Sequence, residues 1–263
     1  MMKSLYTSAT GMQAQQTQVD TTANNLANVD TTGFKRSQVE FQDLLYQTVR
    51  EAGTLGATGA EVPTGIQIGS GVRNSGISKI FTPGTLENTG NDFDMSIQGQ
   101  GFFLIADANG NQWYTRDGSF RPNSTGQLVT ADGYVLQPPI QLPLDTLSVT
   151  VGNDGTVSVV TAGAPTTQTT VGNLLLTRFP NPSGLNSEGK NLYTQTSASG
   201  APLQGTPGTS GIGSLQQGFL ERSNVQVVTE LIRLITAQRA FDANQRSVLT
   251  SDQMLQTTNA MIR

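Results

Sequence analysis

The sequence predicts an α+β fold. Long N- and C-terminal α-helices form a coiled-coil-like assembly domain, and a central antiparallel all-β domain of barrel or sandwich type lies between them in the chain. Three observations predict it. Larger apolar residues recur every seven positions at both ends, short apolar runs in the middle alternate with hairpin-type dipeptides, and stretches rich in Gly, Thr, Ser and Pro separate these regions. Residues 1–32 with 220–263 are expected as a discontinuous helical domain, 33–75 and 199–219 as extended connecting segments, and 76–198 as the β domain.

From Leu5 to about Val29 there is no Pro and a single Gly, Gly11. Leu5, Met12, Val19 and Leu26 stand seven apart, with Ala9 and Ala23 on an adjoining line. The C-terminal stretch carries the same spacing further, through Val227, Leu234, Phe241, Val248, Leu255 and Ile262, flanked by Val228, Leu231, Ile235 and Leu249. A period of seven keeps one narrow seam facing a partner as helices supercoil. At 1.5 Å per residue the helices would be roughly 40 and 55 Å long. Four residues beyond the C-terminal apolar positions stand Leu231, Gln238, Gln245, Asp252 and Asn259, and Ser8, Gln15 and Thr22 form a polar line in the first helix. One reading packs these helices on the chain's own core. The other leaves two half-polar stripes, weakly stable alone, that complete their packing against neighbouring copies.

The middle of the chain has apolar runs at Gly101–Ala106, Leu128–Val129, Tyr134–Leu136, Leu147–Val151, Val157–Val160 and Leu174–Phe179. Between them lie Asn109-Gly110, Asp117-Gly118, Asp132-Gly133 and Asp154-Gly155, dipeptides that suit the positive φ angles of tight hairpins. Strands at this spacing, with no helical period, give an antiparallel domain.

Composition removes whole classes of chemistry. The 263 residues include no Cys and no His, which excludes thiolate and imidazole metal sites, Cys nucleophiles, and Ser-His or Cys-His triads. Net charge is −4 and only 13% of residues are charged, with no basic run, so no nucleic-acid partner is expected. No stretch approaches the ~18 apolar residues of a membrane span, so no membrane insertion is expected. Nor does the beginning of the sequence carry the apolar core of a secretory signal. A role outside the cytoplasm would need a route that reads no cleaved signal peptide. Asp92, Asp94 and Asp117 could be imagined as the paired acids of a glycoside hydrolase, but acids at strand ends usually cap turns. Gly99-Gln100-Gly101 lacks the third glycine and helix of a dinucleotide site, and Asp107–Asn111 lacks the bidentate Glu of a calcium loop. Neither an enzyme nor a cofactor is expected.

One stretch is specific enough to name a family. Ala23-Asn24-Asn25-Leu26-Ala27-Asn28-Val29-Asp30-Thr31-Thr32-Gly33-Phe34-Lys35-Arg36 resembles the N-terminal signature of bacterial flagellar basal-body rod and hook proteins. The resemblance continues in order through Ile97–Phe103, Tyr114–Phe120, Gly126–Thr130, Gln217–Val225, Gln238–Phe241 and Asp252–Leu255. A hook protein would ordinarily carry an additional β domain, and none is visible. Chain length and the segment around Tyr46–Gly71 fit the members that build the distal rod.

The resemblance implies a structural subunit that polymerises helically into a hollow, rigid shaft, transmitting torque from motor to hook and passing export substrates. Its partners would be further copies of itself, proximal rod proteins, the hook protein, the surrounding peptidoglycan and outer-membrane ring proteins, and the flagellar type III export apparatus. Its place would be the periplasmic rod of the basal body. The alternatives are a proximal rod or short hook-like paralogue and, from another class, a carboxylate-based peptidoglycan hydrolase. The residues expected to carry self-assembly are the two seven-spaced lines together with Asn24, Asn25 and Asn28. Three Asn where a helix gives way to extended chain can satisfy backbone groups at the helix end or on a neighbour. The segment from Tyr46 to Gly71, with Thr54 and Pro63 within it, has too few apolar residues for a core of its own. Set among the distal-rod members, it is expected to stiffen the rod.

Overall fold

Two long helices bracket the chain, α1 (Met2–Ala27) and α2 (Val227–Met261). The computed structural model describes residues 2–53 and 63–261, so Thr54 and Ile262 lie outside the described residues. The chain divides into two compact units, one of Met1–Leu26, Ser37–Ser78 and Val227–Arg263, the other of Ala27–Arg36 and Lys79–Gln226.

In the first unit α1 and α2 run antiparallel. The Ser4 hydroxyl lies 3.4 Å from that of Ser251, Ser8 donates to the Ser247 hydroxyl at 3.3 Å, and Asn25 donates to Glu230 at 3.3 Å. A two-stranded ribbon follows α1 in the chain. Ser37–Asp43 pairs with Val72–Lys79, and Gln47–Arg50 pairs antiparallel with Ile66–Ile68. Such a ribbon is marginal by itself, and α1 supports this one along its length. Asn74 donates to the Thr17 hydroxyl at 2.8 Å, the Val72 N–H to Thr10 at 3.4 Å, and Lys3 to the Gln47 side chain at 2.9 Å. Gly71, at φ +114°, lies close against the helix, and a β-carbon there would run into the Thr10 hydroxyl.

The second unit is built on the strand Phe102–Ala106. One edge pairs with Gln112–Thr115, and the other with both Val135–Gln137 and Leu176–Arg178, all antiparallel. All five residues of this strand are buried, because both faces of the sheet are covered. Phe103 and Ile105 enter a core with Phe120, Leu136, Leu174 and Leu176, to which the meander Thr146–Val151, Thr156–Thr161, Ala164–Asn173 adds Val149, Val151, Val157 and Val159. Phe102 and Leu104 face an aromatic cluster with Tyr114, Phe179 and Tyr193. Among the described residues the strand order is open-ended and closes no barrel, which agrees with the sandwich alternative.

Three of the four expected hairpin turns are present. Asn109-Gly110, Asp132-Gly133 and Asp154-Gly155 each join paired strands, closed by the Asp107 N–H on Asn111, Thr130 N–H on Tyr134 and Gly152 N–H on Thr156. Asp117-Gly118 is different. The Met95 N–H donates to the Gly118 carbonyl at 3.0 Å, and a β-carbon on Gly118 would overlap the Met95 carbonyl. This glycine permits a close crossing of two segments rather than a hairpin.

Candidate assembly site

The buried positions of both helices are small or polar. On α2 the buried positions are Glu230, Ala237 and Ser251, and on α1 they are Ser8, Ala14, Thr21, Thr22 and Asn25. Asn244 completes the α2 series, in seven-residue steps from Glu230, and sits against Gly11, where a β-carbon would come within 2.9 Å of its amide nitrogen. This second line falls three residues beyond each of Val227, Leu234, Phe241 and Val248, whereas Gln238, Gln245, Asp252 and Asn259, four beyond, are exposed. The two lines together alternate by three and four, the seam of a coiled coil. The apolar line of the two is only partly covered.

That places the expected self-assembly residues. Leu5, Met12, Val19, Leu26, Leu234, Phe241, Val248 and Leu255 are each partly buried, and Val227 is exposed. Beside them the first turns of α2 carry exposed Val228, Leu231, Ile232 and Ile235. Ile232 is the member of this patch that the seven-residue pattern did not single out. On the ribbon Tyr46, Val49, Ile66 and Ile68 are exposed, as is Pro63, while Gly71 is half-buried. Both the α2 patch and the ribbon therefore offer apolar side chains to water in the single chain, which monomers rarely do over a contiguous area.

The three asparagines part company. Asn25 is sealed inside, its Nδ2 donating to the Ser37 carbonyl at 2.8 Å and its Oδ1 accepting from the Ser37 N–H at 2.9 Å. It stitches the end of α1 to the start of the ribbon. Asn28 is half-buried and accepts from the Thr31 hydroxyl at 3.1 Å in the turn that ends the helix. Asn24 is exposed.

Within the second unit, motifs from four parts of the chain converge on one buried ionic cluster. Lys35 Nζ meets Glu221 Oε1 at 2.6 Å, and Arg116 Nε meets Glu221 Oε2 at 3.0 Å, with side-chain exposures of 0%, 3% and 1% for Lys35, Arg116 and Glu221. Every partner is further satisfied. Lys35 donates to the Thr82 carbonyl at 2.8 Å, Arg116 to the carbonyls of Gly99 and Gly101 at 3.0 and 2.6 Å, and Gly84 N–H to Glu221 at 2.9 Å. The main chain is tied at the same place by Gly33 N–H on the Glu221 carbonyl at 2.8 Å and Arg36 N–H on the Asn224 side chain at 2.8 Å. Glycines leave room here. A β-carbon on Gly33 would press on the Arg116 backbone, and one on Gly84 on that of Arg222.

The cluster sets its own protonation. Burial lowers the Lys35 pKa to about 8, aided by the Arg116 charge and opposed by Glu221. Burial works to raise the Glu221 pKa, but Arg116, Lys35 and the hydrogen bonds from Lys35 and Gly84 together hold it below the ordinary carboxylate value. Burial also pushes the nearby Tyr193 hydroxyl up.

Two of the acids considered for hydrolysis, Asp94 and Asp117, serve turns. Asp94 accepts from the Thr89 hydroxyl at 2.5 Å and Asn91 at 3.1 Å, and Asp117 from the Ser119 N–H at 3.1 Å.

Comparison with known proteins gives three family matches in chain order. Residues 5–35 match the family described as flagella basal body rod protein, 96–159 the flagellar hook protein FlgE/F/G D1 domain, and 216–261 the flagellar basal body rod FlgEFG protein C-terminal region. The chain is similar to the flagellar basal-body rod protein FlgG of Buchnera aphidicola from Schizaphis graminum, at 48% identity over 97% of this chain and 98% of that one. It is 45% identical to the FlgG of Caulobacter vibrioides over 99% of both chains, and 40% identical to that of Bacillus subtilis over 97% of both.

Proposed function

The chain belongs to the flagellar basal-body rod protein family, and from that premise we propose that it is a structural subunit of the distal rod, polymerising helically into a hollow, rigid shaft that carries torque to the hook and passes export substrates. The observation that carries this reading is identity of 40–48% running end to end through relatives of nearly equal length, all named as basal-body rod proteins. The partly covered apolar seam of the helix pair supports self-assembly, since its further burial by a second copy would release about 25 cal/mol per Å² of apolar surface. Neighbours of other kinds are the proximal rod proteins, the hook protein, the peptidoglycan and outer-membrane ring proteins around the rod, and the export apparatus, through which the chain leaves unfolded and without a cleaved signal. The role is mechanical, and no catalytic step is assigned. A strain lacking this chain tests the reading. Its isolated basal bodies are expected to end at the proximal rod, without hook, and to regain both when the chain is restored; basal bodies with a complete rod and hook would overturn it.

A further inference from the structure

The Lys35–Glu221–Arg116 cluster joins residues far apart in sequence, 186 positions for Lys35 to Glu221 and 105 for Arg116 to Glu221. Glu221 does not arrive alone. Ser214–Gln217 pairs with Met95–Gln98, and Phe219–Glu221 pairs with Leu86–Asn88. Ile212 and Leu215 fill the same core as Met95 and Ile97. Without residues 212–221, the strands at 86–98 lack their partners, and Lys35 and Arg116 would have to be buried as two facing cations with no carboxylate between them. Burying unpaired charge is heavily unfavourable, so the open state is favoured until Glu221 is present. Apolar residues at the three positions would impose no such condition, because each could bury independently of the others.

We propose that Glu221 is the closing latch of the β unit: native packing around Phe102–Thr115 forms only when residues 212–221 join it, so a chain supplied N-terminus first stays open until its C-terminal part follows. The use of such a delay, keeping the chain threadable, rests on the export reading above; the latch itself stands on the geometry and is tested on the purified full chain, where the fate of rods plays no part. Refolding is followed by pulsed hydrogen exchange. Amides of Phe102–Ala106 and Gln112–Thr115 are expected to gain protection in the same phase as those of Ser214–Glu221, and protection about tenfold earlier would overturn the latch. Glu221→Gln gives a second reading through the single tryptophan, Trp113. Refolding is expected to slow about a hundredfold with a smaller change in unfolding. An unchanged refolding rate, with the whole effect in faster unfolding, would overturn the proposal. If that variant does not fold, the exchange measurement on the unaltered chain decides alone.

Discussion

Lys35 and Glu221 meet at 2.6 Å across 186 residues of chain, with neither side chain reaching solvent. A buried pair of this kind contributes little net stability relative to apolar residues of the same size, but removing one partner leaves the other charge stranded. Glu221→Gln is therefore expected to cost about 3–5 kcal/mol, read as a lower urea midpoint in Trp113 fluorescence. Lys35→Met, which keeps the Arg116–Glu221 pair, is expected to cost less.

The same cluster predicts an alkaline gain in stability. Lys35 has a folded pKa of about 8 against 10.5 in the open chain, so between these values the unfolded state binds the extra proton and stability rises with pH. Burial lowers the Lys79 pKa as well, in the same sense. Above about pH 10, ionisation of the unfolded tyrosines reverses the trend, because burial raises the pKa of Tyr193 and Tyr114 in the fold. On the acid side the contribution of Glu221, whose folded pKa is lowered, is lost as pH falls below the carboxylate range. The melting temperature of the β unit should climb from about pH 7.5 to 9.5, and Lys35→Met should flatten that climb.

On the helices, Phe241→Asp or Val248→Asp places a charge on the flank that a neighbouring copy would cover. Polymerisation, followed by sedimentation or light scattering, is expected to fail, while the Trp113 melting curve stays where it was. Normal rods from both variants would remove the seam from the account.

How much of this was legible follows from distance along the chain. The ends read correctly as helices because a seven-residue period is a local signal, and Asn109-Gly110 read as a hairpin because its strands are neighbours. The companion line Glu230, Ala237, Asn244, Ser251 is not legible in the sequence. It is polar and small and so carries no hydrophobic signal, and it stands three residues beyond the apolar line, whereas positions four beyond, such as Gln238 and Gln245, are exposed. Asn25 was legible as a residue with a job at the helix end, but not as one whose amide is spent inside the chain on Ser37 and Glu230. Arg116 reaches Glu221 only through the fold. No spacing rule links positions 105 residues apart.

The ribbon segment gives a mechanical prediction. Between Tyr46 and Gly71 the described strands lie along α1 and expose Tyr46, Val49, Ile66 and Ile68. A slack linker would tolerate shortening, since loop closure depends weakly on length. Deleting Thr54–Pro63 is expected instead to leave export and incorporation intact and to give curved or fragile rods in electron micrographs. Straight rods with full motility would mean that the segment is only a connection.

The central claim is that this chain builds the distal rod. Cryo-electron microscopy of basal bodies, isolated from a strain carrying a gold-binding tag in the exposed turn Ala108–Gly110, tests it most directly. The account predicts label in repeated, helically spaced positions along the rod segment adjoining the hook. Label confined to the hook or to the motor-proximal rod, or basal bodies without label, would contradict it.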